Sequence, residues 1–412
     1  MTITSTPPAS TGAFSLDLAR MRAERLAKLQ AGMQAEGLDG LVLVGNSAVR
    51  YATGAALLTV EWARTAFEPT IAVVPAQGQP HLFTGQPDGA PPDLPSSNVH
   101  PPLLVEFEEG VRALAGVLTD LLGSGALRVG FDDLSAAELE LLPGLLPALE
   151  VLDAGTVVGG AKILKTADEV ECIHRAQRIN ELAMYHVYDL LRPGVRQSDL
   201  SAEFLERVFA LGAHANTVDP IWQAMPASIA DGPFTVHGDV AFPTSAKDRF
   251  FRQGEVVMVD SGILYEGYSS DFGRTWIVGA EPTDRQRDQF RRWKEVMRRV
   301  LDAVRPGATG RDLTRAAMEP GVERRPWFDH FWLIHGCGTD SSEMPVLGTH
   351  LGDEFDESMV LAPGMVMVLE PVIWEDGEAG YRSEDIVVVT DDGYRSLSSF
   401  PYMPFEEGTS PW

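Results

Sequence analysis

The segment that decides the fold is GEVVMVDSGILYEGYSSDFGRTWIVG, residues 254–279. Its two apolar runs are separated by Glu266 and Gly267, which predicts two strands joined by a tight turn. Asp260 and Asp271 lie at the inner ends of these strands. A carboxylate on a buried strand costs free energy unless it has a partner. A salt bridge, a turn cap or a metal ion would each supply one, and the rest of the chain decides among them.

The composition is that of a globular protein large enough for two or three domains. The chain has 412 residues, of which 44% are hydrophobic and 22% charged, with a formal net charge of −26. Nucleic acids and anionic membranes attract basic surfaces, so this charge argues against both as partners. The two cysteines, Cys172 and Cys337, predict no disulfide framework and a reducing cytoplasm. Residues 1–14 resemble a disordered tail and not a signal peptide.

Residues 15–157 are predicted to form an α/β domain. An amphipathic helix begins near Leu16 and ends at Gly37, and short apolar strands then alternate with a further helix. The Pro-rich segment 86–102 is predicted to be a loop within this domain. The capping-box pattern TADE, which begins at Thr166, predicts a long helix from Asp168 to about residue 191. We therefore place the domain boundary near residue 157.

The second domain, residues 158–412, is predicted to contain an internal repeat. RPGVRQSDL begins at Arg192 and RPGATGRDL begins at Arg305, and each lies between two helical segments. GEVVMVD ends at Asp260 and GMVMVLE ends at Glu370, so each apolar strand carries an acid six residues after a glycine. The joint and the acid are 68 residues apart in the first half (192 to 260) and 65 in the second (305 to 370). This order predicts an α+β domain with a pseudo-twofold axis.

Each half supplies a second acid, Asp271 in SSDFGRTW and Glu384 in GYRSED. If the two halves face one another, four carboxylates meet, and they would repel one another and take up protons without a counter-charge. Four carboxylates and an imidazole suit a pair of divalent cations, and His335 in IHGCG is the candidate imidazole. Each residue taken alone favours a salt bridge, a cap or a core histidine. Their repeated context favours a metal site.

The motifs VDSG, SSDFGRTW, IHGCG, LEPVIW and GYRSED resemble the M24 metallopeptidases with the pita-bread fold, which include prolidase, aminopeptidase P and methionine aminopeptidase. GLDGLVLVGNSAVRYATG, from Gly37 to Gly54, is similar to the extra domain shared by prolidases, aminopeptidases P and creatinases. The resemblance covers about residues 16–405. It implies an α/β N-terminal domain followed by an α+β pita-bread domain.

The resemblance also implies a site. Two divalent ions, Mn²⁺, Zn²⁺, Co²⁺ or Fe²⁺, would hold a bridging hydroxide that attacks the scissile carbonyl. Glu370 would pass the proton to the leaving nitrogen, and Arg382 would bind substrate or hold the ligands. Asp271 and Glu384 would bridge the two ions. The implied metal ligands are Asp260, Asp271, His335, Glu370 and Glu384.

Three positions depart from the family pattern. Histidines that usually contact the substrate are replaced by Ser342, Phe331 and Pro243. His237 and His330 are the nearest substitutes, and we assign His237 a catalytic role on this basis. The missing donors put the choice of substrate and part of the rate in question, because one such donor is commonly worth about 100-fold or more in rate.

We expect a small proline-containing peptide as substrate, in the first place an Xaa-Pro dipeptide, and a homodimer as the assembly. The irregular segment 218–249 would line the substrate pocket or form a surface loop. Cys337 is expected to be a small buried thiol and not a ligand. The alternatives are an aminopeptidase P, a creatine amidinohydrolase, a lyase acting on small sulfonium compounds, and a non-catalytic binding protein.

Overall fold

The architecture is that of a computed structural model. It describes residues 14–57, 68–228, 248–318, 332–375, 377–406 and 408. Nearly all of the predicted N-terminal tail lies outside these ranges. The same holds for His237 and His330, the predicted substitutes for the missing histidines, and for Pro243 and Phe331, which stand at two of the positions that lack them. Within the described ranges, no helix has the length and apolarity that a membrane crossing requires.

The first domain opens with the predicted amphipathic helix, α1 (Leu18–Glu36). Asp17 caps its first turn, and Gly37 ends it in the left-handed conformation at φ 66°. Leu29 and Met33 are fully buried on its inner face. The helices that follow are α2 (Asn46–Thr53), α3 (Glu108–Leu122), α4 (Ala136–Leu145) and α5 (Gly155–Ile163).

These helices cover a six-stranded mixed sheet in the order β4-β3-β2-β1-β5-β6. The central strand β1 is antiparallel to β2 and parallel to β5, which confirms the predicted α/β class. The segment predicted to be a Pro-rich loop contains the short edge strand β4, so that prediction was wrong for two residues. The strands are β1 (Gly40–Leu43), β2 (Ile71–Pro75), β3 (His81–Phe83), β4 (Val99–His100), β5 (Leu127–Phe131) and β6 (Leu149–Asp153).

Helix α5 passes through the boundary that we placed near residue 157. Val157 and Ala161 of this helix belong to the same apolar cluster as Leu29 and Met33 of α1. The position of the boundary stays a prediction. The long helix that follows is α6 (Ala167–Leu190), and Thr166 and Glu169 form the predicted capping box.

The second domain begins with α6, which leads through the first RPG turn into α7 (Gln197–Ala210). A four-stranded antiparallel sheet follows in the order β10-β8-β7, with β9 paired to β8. The predicted turn at Glu266 and Gly267 joins β8 to β9, with φ angles of 47° and 83°. The strands are β7 (Ala215–Ala224), β8 (Val256–Tyr265), β9 (Tyr268–Ser269) and β10 (Phe272–Ile277).

The second half repeats this plan with α8 (Asp284–Ala303), the second RPG turn and α9 (Gly310–Ala317). A five-stranded sheet follows in the order β12-β11-β13-β16-β17, beside the β14-β15 hairpin and the short helix α10 (Asp353–Ser358). The strands are β11 (Ile334–Gly336), β12 (Glu343–Leu347), β13 (Val366–Leu369), β14 (Ile373–Glu375), β15 (Ala379–Tyr381), β16 (Asp385–Val389) and β17 (Tyr394–Ser396).

Backbone hydrogen bonds confirm the predicted pseudo-twofold repeat. In the first half, the Gly194 amide donates to the Phe251 carbonyl over 2.8 Å, and in the second the Gly307 amide donates to the Leu361 carbonyl over 2.9 Å. Both glycines have positive φ, 85° and 82°. Each RPG turn is therefore tied to the chain just before its own acid-bearing strand.

The segment predicted to be irregular from residue 218 onward is partly regular, and this prediction was wrong for its first residues. They belong to β7, which pairs with β8 along its length. The pairing shifts register on both sides of Val218, before Ile221. Pro220 lies in this interrupted stretch, and a proline inside an apolar run hides a strand from pattern analysis because it cannot donate to the ladder.

Candidate metal-binding active site

The two acids of the first half lie on one antiparallel hairpin. Asp260 lies in β8, opposite Gly273 of β10 on one side and Ile221 of β7 on the other. Asp271 lies in the two-residue link between β9 and β10. The apolar, β-branched run around Asp260 is buried at every position from Val256 to Leu264, so its carboxylate is held in the interior by the strand itself.

The two acids of the second half lie at matching positions. Glu370 directly follows β13, and Glu384 directly precedes β16. The amide of Glu384 donates to the carbonyl of Gly273 over 2.9 Å, which joins this hairpin to β10 of the first half. Glycine is required at position 273, because a Cβ there would overlap the side chain of Glu384. The halves thus face each other, as the repeat predicted.

His335 lies on β11, beside Val368 of β13. Its Nε2 is 2.9 Å from Oε1 of Glu370 and 3.3 Å from Oδ2 of Asp271. Its Nδ1 is 2.9 Å from the carbonyl oxygen of Gly336, which favours a proton on Nδ1. The imidazole therefore directs Nε2 at carboxylates from both halves.

Arg382 contacts three of the four acids. Its Nη1 donates to Oδ2 of Asp260 over 2.8 Å, and its Nε donates to Oε2 of Glu370 over 3.0 Å. Its Nη2 also contacts Oε2 of Glu370 and Oε1 of Glu384. With its planar fork occupied by carboxylates, Arg382 orients these acids.

The whole cluster is buried, with exposed fractions of 0–6% for the four acids, His335 and Arg382. Burial raises the pKa of the Asp260 carboxyl to about 6, although Arg382 acts in the opposite direction. Burial also raises the pKa of Asp271 against the effect of His335. Burial alone would lower the pKa of His335, but the carboxylates of Glu370 and Asp271 outweigh it and raise the pKa to about 10. The cluster is therefore short of positive charge.

Three buried oxygens in this cluster, Oε1 of Glu370 and both carboxylate oxygens of Glu384, accept no hydrogen bond of normal geometry from the described residues. Among these residues, Glu370 Oε1 and Glu384 Oε1 have only the ion-pair contacts with His335 and Arg382, and Glu384 Oε2 has neither kind of contact. Oxygen atoms of Asp260, Asp271 and Glu384 also lie within 4.8 Å of one another, a spacing at which one metal ion could contact all three. Carboxylate and imidazole donors at this spacing fit divalent metal ions, which would satisfy the oxygens and supply the missing charge.

The other predicted residues contribute less to this site. Ser342 is exposed, so its hydroxyl does not replace a buried histidine donor. Cys337 is fully buried, and its Sγ lies 3.2 Å from the carbonyl oxygen of Ser269. Burial raises the pKa of this thiol well above its usual range, as expected for an inert thiol. His237 lies outside the described residues.

Sequence reasoning missed a charged network beside the site. Glu343, eight residues after His335, has Oε2 at 2.9 Å from Nζ of Lys162 and Oε1 at 2.7 Å from Nζ of Lys165. Lys162 also contacts Asp340. Lys162 lies on α5 and Lys165 shortly after it, so the pair connects the end of the first domain to the segment after His335. The short spacing of the lysines in AKILK is the signal that could have drawn attention to them.

Two family models match the chain. "Metallopeptidase family M24" matches residues 171–391, and "Creatinase/Prolidase N-terminal domain" matches residues 25–160. The probable dipeptidase PepE of Mycobacterium tuberculosis is 28% identical over 393 residues, covering 93% of this chain and 96% of the relative. The Xaa-Pro dipeptidase of Pyrococcus furiosus is 30% identical over 244 residues, covering 59% of this chain and 65% of the relative.

Solved structures share the architecture. Dipeptidase PepE from Mycobacterium ulcerans superposes with a TM-score of 0.70 and 26% identity, covering 94% of this chain and 98% of that chain. The prolidase of Pyrococcus horikoshii has a TM-score of 0.71 and 21% identity, covering 92% and 99%, and shows the fold alone. These findings confirm the resemblance seen in the motifs. The chain belongs to metallopeptidase family M24, whose enzymes use divalent metal ions.

Proposed function

We propose that this protein is a metal-dependent dipeptidase that hydrolyses Xaa-Pro dipeptides. One observation carries the proposal: two hairpins and β11 bring four carboxylates and one imidazole into a single buried cluster with unsatisfied oxygens. The relatives named dipeptidases support the substrate class. The proposed ligands of two divalent ions are Asp260, Asp271, His335, Glu370 and Glu384.

When bound, the ions would polarise the scissile carbonyl and lower the pKa of water. The donor set is rich in oxygen, so Mn²⁺, Zn²⁺, Co²⁺ and Fe²⁺ all remain candidates. The hydrogen bond of His335 to the backbone fixes which of its nitrogens faces the cluster. With its Nδ1 proton donated to Gly336, the imidazole presents the lone pair of Nε2 to the cluster. A cation at Nε2 would replace the proton that the surrounding carboxylates otherwise favour.

Glu370 is the proposed proton carrier. Arg382 holds its Oε2 from two nitrogens, which leaves Oε1 as the oxygen that faces the centre of the cluster. A carboxylate fixed by one oxygen can accept a proton from the attacking water at the other. It then delivers this proton to the proline nitrogen as the peptide bond breaks.

Arg382 acts in the proposal as a positioning residue, because its contacts with Asp260, Glu370 and Glu384 engage its guanidinium. The carboxylate of a dipeptide substrate therefore needs another donor. His237 and His330 stay candidates from the sequence, as does a residue of a partner subunit.

The proposal includes a homodimer, because the N-terminal domain of this family commonly packs across a dimer. It also includes a reducing cytoplasm, which the buried free thiols of Cys172 and Cys337 support.

The test is a substrate panel assayed with each of the four metals. It contains an Xaa-Pro dipeptide, the C-terminal amide of the same dipeptide, an Xaa-Pro-Yaa tripeptide and creatine. Masking a carboxylate that bonds to a charged group should lower kcat/KM by about 10- to 150-fold, from ~1.5–3 kcal/mol. Equal rates for dipeptide and amide, or faster cleavage of the tripeptide, would instead indicate an aminopeptidase. Turnover of creatine without peptide cleavage would overturn the peptidase proposal.

A further inference from the structure

A cavity of 140 Å³ lies at the contact between the two domains, away from the acid cluster. Helices α1 and α2 form one wall, and the turn between β8 and β9 forms the other. Three arginines contribute to its lining, Arg22 and Arg25 from α1 and Arg50 from α2. This volume exceeds the share of one water molecule in the liquid, ~30 Å³, several-fold, so the cavity has room for a small solute.

Arg50 is the unusual group in this cavity. It is 9% exposed, and its guanidinium has neither a hydrogen bond nor an ion pair with any described residue. No Arg50 nitrogen is among the fully buried atoms of the described residues that lack a partner, so the guanidinium reaches the accessible space of the cavity, where an anion could contact it. Burial lowers the pKa of Arg50, the charge of Asp340 acts in the opposite direction, and the charge of Arg25 acts in the same direction as burial.

The other deeply buried arginines in the described ranges all have partners. Arg25 donates to the hydroxyl of Tyr268 over 3.0 Å, and Arg274 donates to Oδ1 of Asp385 over 3.1 Å. Arg382 contacts the acids of the metal-binding cluster. Arg50 is therefore the one deeply buried arginine of the described residues whose guanidinium has no hydrogen-bond or ion-pair partner among them. A bound anion would supply one.

The backbone on both sides of the cavity is shaped around the arginine side chains. Gly54 ends α2 at φ 76°, and a Cβ at this position would overlap the side chain of Arg22. Gly267 has φ 83° in the opposite wall, and a Cβ there would overlap the side chain of Arg50. Each domain thus has a glycine at the point where the side chain of an arginine packs against its backbone.

The charge balance favours an anion. Arg22 is paired outside the cavity with Asp93, and Glu266 is the one acid among the described lining residues. Glu266 has its Oε1 3.8 Å from Nε2 of His214, which also lines the cavity. Because Arg22 is already paired, the guanidiniums of Arg25 and Arg50 stand against one lining carboxylate, which leaves a local excess of positive charge in a chain with a net charge of −26. Such a site attracts anions, and a guanidinium pairs with two oxygens of a carboxylate or phosphate at once.

We propose that this cavity binds a small oxyanion, with the fork of Arg50 as the principal contact. The chemistry fits inorganic phosphate and small carboxylates alike. The wall formed by the β8–β9 turn belongs to the hairpin that carries Asp260, so a bound anion would also tie the N-terminal domain to that hairpin. This site is independent of the proposed peptidase activity.

The test is titration of the metal-loaded full-length protein with inorganic phosphate and, separately, with acetate at constant ionic strength. Calorimetry measures binding, and the melting temperature reports stabilisation of the folded state. We expect saturable binding of at least one anion, and Arg50→Gln should weaken it tenfold or more because a charge-assisted contact is lost. Saturation by phosphate alone would identify a phosphate-type ligand, and saturation by acetate a carboxylate.

The matched control is Arg112→Gln, which removes the same charge from an exposed helical pair with Glu108. It should bind the anion as the unmodified protein does. Arg50→Lys is the second variant if Arg50→Gln disturbs folding, since it keeps the charge and loses the planar fork, and it should also bind more weakly. If the dissociation constant of the Arg50 variants stays within threefold of that of the unmodified protein, the anion binds at the metal centre or elsewhere, and the proposal is overturned. The absence of saturable binding would also overturn it.

Discussion

Replacing Arg382 by glutamine should destabilise the metal-free protein much more than the metal-loaded protein. Arg382 is 3% exposed and contacts Asp260, Glu370 and Glu384. In the metal-free protein it supplies the guanidinium charge of this cluster. Glutamine would leave three buried carboxylates with only His335 to offset them.

The size of the effect follows from burial. Removing one partner of a buried ion pair costs about 3–5 kcal/mol, because the other charge stays desolvated. With divalent ions present the carboxylates keep a cationic partner, and the loss falls to that of hydrogen bonds to charged groups, about 1.5–3 kcal/mol. The two states should therefore differ by ~2 kcal/mol, or about 4–8 °C in melting temperature for a domain of this size.

The assay is thermal unfolding of Arg382→Gln and the unmodified protein, each with excess chelator and with saturating Mn²⁺. Arg274→Gln is the matched control. Arg274 is equally buried and bonds to Asp385 and to the backbone carbonyls of Phe400 and Glu384, but it contacts no carboxylate of a proposed ligand. Its loss should lower the melting temperature by the same amount with and without metal. Equal losses for Arg382→Gln in the two conditions would refute the placement of metal among its carboxylate partners.

Three further predictions concern single groups. Glu370→Gln should keep the fold but lose nearly all turnover in the dipeptide assay, because an amide cannot carry the proton; activity within threefold of the unmodified enzyme would remove Glu370 from this role. Glu343→Gln should lower the urea-unfolding free energy by about 3–5 kcal/mol by leaving Lys165 without its carboxylate, and a change below ~1 kcal/mol would contradict a buried pair. His81 and His100, 3.0 Å apart on neighbouring strands, have pKa values lowered by burial, so stability should fall as the pH drops below ~6.5, where the unfolded chain binds protons more readily. In melting curves His81→Gln should reduce this fall, and an unchanged pH dependence would exclude the pair as its source.

The sequence was sufficient for the acid-bearing hairpins because local pattern and repetition agree there. The turn at Glu266 and Gly267 is marked by Gly267, which accepts positive φ, and the apolar strands on either side fix which faces are buried. Once one acid has a place on a strand, the matching glycine and RPG turn of the other half give the second acid an equivalent place. The repeat therefore predicts the positions of the acids in the second half from those in the first, without information on tertiary contacts.

The cavity and the lysine network could not be predicted in the same way. Lys162 and Glu343 are 181 residues apart in the chain (162 to 343), and no local pattern connects them. The same holds for Arg50 and Gly267, which meet only because the first domain packs on the hairpin of the second. Helix α5 was missed for a different reason: its three glycines weaken the helical pattern, and packing against α1 stabilises it.

The pseudo-symmetry of the catalytic domain also explains an imbalance within the metal-binding cluster. Asp260 corresponds to Glu370 and Asp271 to Glu384, so the first half supplies the shorter acids and the second half the longer ones. A glutamate reaches one methylene further than an aspartate, so the two halves approach the cluster with side chains of different length.

The second half also supplies the positive groups of the cluster. Arg382 lies two residues before Glu384, whereas the corresponding position before Asp271 is Ser269, whose hydroxyl bonds to the carbonyl of Ser270. His335, on β11, is also supplied by the second half. A symmetric fold thus gives an asymmetric cluster: one half supplies two carboxylates, and the other supplies two carboxylates with the arginine and imidazole that orient them. This division lets Arg382 hold Glu370 by Oε2, while Oε1 lies 2.9 Å from Nε2 of His335 and is the oxygen left to carry a proton.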